Sequence, residues 1–306
     1  MHMMHFAIEE VCVDVIVDDD DFKLPLSGFS PGCDGRRLMQ HRKLLEPDFL
    51  DLDQDIVRFA VQSFVLRTHG RTILVDTCIG EQKDRPEIPA WHQRRGTGFI
   101  NQPAKAGIDP ADVDIVFCTH LHVDHVGWNT RREDGRWAPT FPNARYLMSR
   151  NELADWMAQR GAGSAPTMHV SALEDSVLPV VGAGLVDLVD DGYDVARGLT
   201  LTHLPGHTAN QLGLRVDRGD ARAIFFGDAL HSPVQIIDPG VSTSSCADPR
   251  IAGATRRGLL EDAVETNRLL VPAHFRGHRC AHIRCNSTGF EPVFSCRPGQ
   301  TEQPKG

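Results

Sequence analysis

The stretch Thr119-His120-Leu121-His122-Val123-Asp124-His125 places four side chains able to bind a metal within six residues. It closes the run Asp114–Thr119, which reads as a short buried strand. Imidazole nitrogen and carboxylate oxygen suit zinc and other first-row dications. In extended backbone, residues two apart point the same way, so His120 and His122 aim at one point. Asp124 and His125 lie past the strand, where a tight turn can aim them at another. One short loop can therefore feed two metals.

Three further polar residues stand in matching contexts. His207 follows Leu204-Pro205-Gly206, Asp228 follows Ile224-Phe225-Phe226-Gly227, and His274 follows Leu270-Val271-Pro272-Ala273. Apolar strands that each end in one lone ligand are how a scaffold presents a site from rigid elements. A surface loop that is histidine-rich by chance would lack this company. Asp76 likewise ends an apolar run, Thr72–Val75.

The order of these motifs, HxHxDH at 120–125, then Pro-Gly-His-Thr, Gly-Asp and Pro-Ala-His, resembles the metallo-β-lactamase superfamily. By motif order and strand rhythm the resemblance covers roughly residues 56–295. It implies an α+β fold, the αββα sandwich of two mixed sheets with helices outside, and a site at the sheet edges. It also implies a ligand set. His120, His122 and His207 would hold one ion, Asp124, His125 and His274 the other, and Asp228 would bridge them. Asp76 would accept a hydrogen bond from a ligand histidine and fix its orientation; an ordinary strand-end cap is the alternative.

Within the superfamily, Gly227-Asp228-Ala229-Leu230-His231, with Pro233 and Gln235, is similar to the branch of methyl parathion hydrolase and its lactonase and esterase relatives. His125-Val126-Gly127-Trp128-Asn129 and Phe141-Pro142-Asn143-Ala144 are similar to that branch too. Many acyl-homoserine lactonases carry a tyrosine three residues after the bridging aspartate, where this chain has His231, so a tyrosine-assisted mechanism does not carry over directly. The implied cofactor is a pair of divalent ions, zinc foremost, with manganese, cobalt or iron as alternatives. Two dications sharing a water lower its pKa towards about 7, and the resulting hydroxide attacks a carbonyl or phosphoryl centre. Asp124 and Asp228 are then the catalytic carboxylates. His231 is the group expected to orient substrate or to protonate a poor leaving group. Trp91, Phe99, Trp128, Leu230 and Phe275 are candidates for the apolar wall of a pocket, with core packing as the plain alternative.

The expected reaction is hydrolysis of a neutral ester: a lactone, an aryl ester or an organophosphate triester. Glyoxalase-II-like thioester hydrolysis is an alternative, and would call on Arg276 and Arg279 to bind an anionic group; the other reading of these arginines is simple solvation. A mononuclear iron persulfide dioxygenase is a further alternative on the same fold. A non-catalytic sensor would not need all seven ligand positions filled.

Bulk properties narrow the partners. The net charge of −9 disfavours nucleic acid and anionic lipid, so the partner is a small-molecule substrate. No run of some 18 apolar residues exists to span a bilayer. The first ten residues lack the basic end and apolar run of a signal peptide, so the expected location is cytoplasmic. With 306 residues, 41% hydrophobic and 24% charged, the chain reads as a single large domain, 1–306. Asp18–Asp21 reads as a solvated acidic turn. Residues 22–55 have no regular pattern, and 1–55 are expected to form an arm or a lid. An arm reaching a neighbouring subunit predicts a homodimer. A loose tail is expected over 297–306. None of the eight cysteines forms a CxxC pair, and even parity alone does not argue for disulfides in a chain this large; Cys78 and Cys118, in strand-like apolar runs, read as reduced buried thiols.

Overall fold

The computed structural model describes residues 4–31, 33, 35–105, 107–287 and 289–296. The tail expected over 297–306 lies outside the described residues. The chain forms two compact units. The first takes Glu10–Asp18 and Val61–Tyr193; the second takes the residues up to Glu9, Asp19–Ala60, and those from Asp194 onward. Two long strands, Val11–Pro25 and Ile56–Thr68, have residues in both.

In the first unit, Ile56–Thr68 turns at His69-Gly70 and returns as Arg71–Val75, antiparallel, with Phe64 opposite Val75. From there the pairing becomes parallel: Arg71–Val75 with Ile115–Phe117, that strand with Arg145–Ser149, and that one with Val186–Val189. Parallel strands covered on both faces read as continuous apolar runs, and Ile115-Val116-Phe117 is one, buried throughout. The parallel register places Val75 opposite Phe117, so the chain leaves both strands at the same edge. Asp76 and the Thr119–His125 loop emerge together for that reason, with Asp76 N–H donating to the Phe117 carbonyl at 2.8 Å. The helix Arg150–Ala162 starts at Ser149, whose hydroxyl accepts from Glu152 N–H, and stops at Gly163 in the left-handed region.

The second unit holds a seven-stranded sheet in the order Asp194–Ala196, Leu199–His203, Leu212–Arg218, Ala221–Phe225, Leu269–Val271, Cys280–Asn286, Gly289–Ser295. Its pairs are antiparallel except Ala221–Phe225 with Leu269–Val271, which the helix Pro249–Thr266 makes parallel by crossing over between them. Phe225 lies opposite Val271. Asp228 and His274 each stand three residues past that pair. The same device thus presents the candidate ligands in each unit: a parallel pair whose carboxyl ends coincide.

The second unit's core gathers Leu204, Ile224, Phe226, Leu259, Leu260, Leu270 and Ile283 with Phe49 and Phe275. Burying each such side chain contributes about 1.5–3 kcal/mol. Residues 22–55 contain short turns of helix and Leu50–Asp51, and their apolar side chains Leu26, Phe29, Leu38, Leu45 and Leu50 pack with Val57, Phe59 and Val234 of the same unit.

Several local expectations change. Asp18–Asp21 is no solvated turn, because the strand Val11–Pro25 runs through it. Asp18 is buried and accepts from Ile79 N–H and the Arg94 guanidinium, while burial holds its pKa above the usual carboxylate range. Asp21 binds Arg58 at 2.7 and 2.8 Å, which pulls its pKa down to about 2. The hairpin Cys280–Asn286 with Gly289–Ser295 gave no sequence signal, and it brings Cys280 and Cys296 into a disulfide that cysteine parity alone did not argue for. Cys78 and Cys118 are buried free thiols, as their apolar context suggested. Among the described residues no helix is long and apolar enough to cross a membrane.

Candidate metal centre

In the first unit, the 120–125 loop gathers four candidate ligands. His120, His122 and His125 are all buried, and Asp124 is half-buried. The His120 ring lies 4.6 Å from that of His122 and 4.1 Å from that of His125. Asp124 Oδ2 is 3.8 Å from His125 Nε2. All four predicted ligands of this loop are therefore brought together.

Behind them sits Asp76. Its carboxylate accepts from Thr119 N–H at 2.8 Å, from the Thr119 hydroxyl, and from His125 Nδ1 at 2.9 Å. A carboxylate at this position accepts a hydrogen bond from Nδ1–H, which makes Nε2 the nitrogen that His125 could offer to a metal. The exit of the loop is fixed by Gly127, where a Cβ would lie 1.9 Å from the Ile79 carbonyl oxygen. No side chain fits, which is why His125-Val126 is followed by glycine.

In the second unit, His207, Asp228, His231 and His274 are all buried. Three imidazoles converge on one carboxylate. His207 Nε2 is 3.2 Å and His231 Nε2 3.0 Å from Asp228 Oδ2, and His274 Nε2 is 2.9 Å from Oδ1. The donor atoms of Asp228, His231 and His274 lie within 4.8 Å of one another, close enough for one ion. His274 Nδ1 donates to the Ala60 carbonyl at 2.8 Å. A carbonyl only accepts, so the Nδ1 proton is fixed and the Nε2 lone pair faces the carboxylate. Two electron-rich atoms at that separation need a proton or a cation between them, so this donor set fits a divalent metal.

The loops that hold these ligands are tightly specified. Gly206 has φ 125°, and a Cβ there would sit 2.2 Å from Ala252 N in the helix Pro249–Thr266. That helix also binds the His207 loop through Thr255 Oγ1 donating to the Pro205 carbonyl, and Asp248 N–H donates to Gly206 O. Buried Gln211 donates to Phe226 O and accepts from Asp228 N–H. Gln235 accepts from His231 N–H at 2.6 Å. Arg256, fully buried, reaches from the helix to the carbonyls of Ala229 and Pro239.

His231 stacks on His274 with centroids 5.5 Å apart and planes 6° apart. Burial is the main influence on its ring and lowers its pKa, against the opposing pull of Asp228. The ring is therefore neutral near pH 7.

Residues assigned to a pocket wall or an anion site from sequence have other roles. Leu230 and Phe275 belong to the second unit's core, and Phe99 is fully buried with its ring stacked on Trp128 at 5.2 Å. Trp91 is buried as well. Arg279 is buried and held by Asp20 and the Phe275 carbonyl, and Arg276 binds the Asp20 carbonyl at 2.6 Å. Arg279 is buried and Arg276 partly exposed, and both are bonded within the second unit.

Sequence reasoning missed Trp156 and His169. His169 stacks on His122 at 4.2 Å, and Trp156 meets both rings, at 5.6 Å from His122 and 5.1 Å from His169. Burial lowers the His169 pKa to about 4. A lone histidine in Thr167-Met168-His169-Val170 carries no signal that would have found it.

Residues 56–274 match the family described as the metallo-beta-lactamase superfamily, which is more than half of the chain. The chain belongs to that superfamily. Among curated relatives of this superfamily member, the N-acyl homoserine lactonase AttM of Azorhizobium caulinodans is 33% identical over 37% of this chain and 41% of its own length. The chain thus spans about two-fifths of the length of that relative. An acyl-coenzyme A thioesterase of Gallus gallus is 25% identical over 69% of this chain and 71% of its own. Two solved structures share the fold: the dizinc quorum-quenching lactonase AidC, at 19% identity, TM-score 0.76 and 95% and 96% coverage of this chain and that one, and the hydrolase AbOPH, at 18% identity, TM-score 0.79 and the same coverages.

Proposed function

We propose that this chain is a metal-dependent hydrolase that uses two divalent cations, zinc foremost, to cleave lactones and other neutral esters. The observation that carries the reading is the convergence of His207, His231 and His274 on the single carboxylate of Asp228. Family motif order supports His120, His122 and His207 as one ligand set, Asp124, His125 and His274 as the other, and Asp228 as the bridge. When bound, such a pair supplies an activated water and a Lewis acid for the substrate oxygen.

The chain's own residues do the rest. Asp76 and the Ala60 carbonyl hold the Nδ1 protons of His125 and His274, so both rings present Nε2. Asp124 and Asp228 supply the negative charge that balances the cations, and their oxygens can take the proton released by the attacking water. His231 orients the Asp228 carboxylate through its 3.0 Å contact.

Lactones are the favoured substrates because the 33%-identical relative is a lactonase. Thioester hydrolysis is the second reading, supported by the thioesterase relative that spans 69% of this chain. A panel of a lactone, an aryl ester, a thioester and a phosphotriester, assayed after reconstitution with zinc, manganese, cobalt or iron, tests both. Turnover of the lactone and aryl ester with two zinc or cobalt ions per chain is expected. Oxygen consumption with a single iron and no ester turnover would overturn the hydrolase. The homodimer is a further proposal, and Leu26, Phe29, Leu38, Leu45 and Leu50 of the expected arm pack within the second unit. Light scattering in the micromolar range decides it, and a monomer there rejects it.

A further inference from the structure

The helical segment Thr167–Ala172 and the π-turn Leu173–Val177 that follows it are held from one side by an unusual buried assembly. Lys83 and Arg85 are both fully buried. Arg85 makes a two-pronged contact with Asp175 of the π-turn, at 2.9 Å on each oxygen. Lys83 Nζ donates to the Asp175 carbonyl at 3.1 Å and to Thr130 Oγ1 at 2.6 Å, and lies 3.6 Å over the Trp137 ring. Burial pulls the Lys83 pKa down to about 7. Removing so many charges from water costs several kcal/mol per ion before pairing offsets it. Such an assembly is a weak source of stability but a strong source of fixed position. The π-turn contributes as well, because its widened hydrogen-bond pattern frees the Asp175 carbonyl to accept from side chains.

On the other side of this segment stands His169. Its ring is near-parallel to His122, at 26°, and Trp156 packs against both. Trp156 is itself tied down, with Nε1–H donating to Glu152 at 2.9 Å. His169 Nδ1 is buried without a hydrogen-bond partner among the described residues, so the ring is placed by packing rather than by its polar atoms.

We propose that His169 is a positioning residue for His122, pressed onto that ring by a segment which the Lys83–Arg85–Asp175 assembly holds in register. The inference rests on the reading of His122 as a metal ligand. Stacking fixes the plane of the His122 ring and hence the direction of its coordinating nitrogen, the role that hydrogen bonds play for His125 and His274.

The test uses cobalt(II) uptake by the full-length apo protein, measured by competition with a coloured chelator, beside thermal melting of the same samples. His169→Ala should weaken cobalt binding roughly ten- to a hundredfold, the usual range for the support of a ligand. His169→Phe keeps the stacked ring and should restore affinity to within about threefold, well inside that range. Asp175→Asn should weaken binding in the same direction, and the double variant His169→Ala with Asp175→Asn should be no worse than His169→Ala, because the two act along one route. Wild-type cobalt affinity in His169→Ala, with or without a lower melting temperature, would overturn the proposal. So would a His169→Phe variant as weak as the alanine, or full additivity in the double variant. A wild-type protein that takes up no cobalt would overturn the metal reading and this one with it, an outcome distinct from any difference among variants.

Discussion

Asp228→Ala is expected to abolish nearly all hydrolysis, on the order of a thousandfold or more in kcat, and to loosen the bound ions. Three imidazole nitrogens lie within 3.2 Å of this one carboxylate, more than at any other side chain of the second unit's ligand cluster. Removing it takes away the negative charge that offsets a dication and leaves buried rings facing an apolar void. Elemental analysis after dialysis should find fewer than two ions per chain, and the rate should not recover fully when zinc is added back in excess. Asp228→Asn separates charge from shape: it keeps a ligand oxygen, so partial metal retention with lost turnover is the expected result. Near-normal turnover in Asp228→Ala would show that the carboxylate does not bridge, and the assignment would fall.

His231→Ala is expected to lower kcat by roughly ten- to a thousandfold. Two ions should remain at saturating zinc, since His207 and His274 still reach Asp228. The structure sharpens which of two roles this histidine plays. Its Nε2 is spent on Asp228, and burial holds the ring neutral near pH 7. A neutral ring already hydrogen-bonded to a carboxylate orients that carboxylate well and delivers protons poorly. The loss should therefore be similar for alkyl and nitrophenyl esters. A distinctly larger loss on the alkyl ester, whose leaving group needs a proton, would make His231 a general acid. Loss of an ion would make it a ligand, an arrangement its position within 4.8 Å of Asp228 and His274 allows.

The candidate ligand positions stand out in the sequence because polar residues at strand ends follow local rules. A run such as Ile115-Val116-Phe117 or Leu269-Leu270-Val271 has to be a buried strand, and the polar residue after it has to face an edge. The sequence by itself thus determined the superfamily, the two-sheet rhythm and which loops carry the candidate ligands. Only tertiary structure decided what lies behind those loops. Asp18 became buried because a strand runs straight through an acidic stretch that composition assigns to a turn. Arg276 and Arg279 became supports because Asp20, more than 250 residues away in sequence, lies within reach of both. His169 and Trp156 came to flank His122 because the helix Arg150–Ala162 and the segment Thr167–Ala172 pack their rings against that histidine. These outcomes depend on pairings between distant segments, where hydrophobic period and spacing carry no information and only the packed chain supplies the partner.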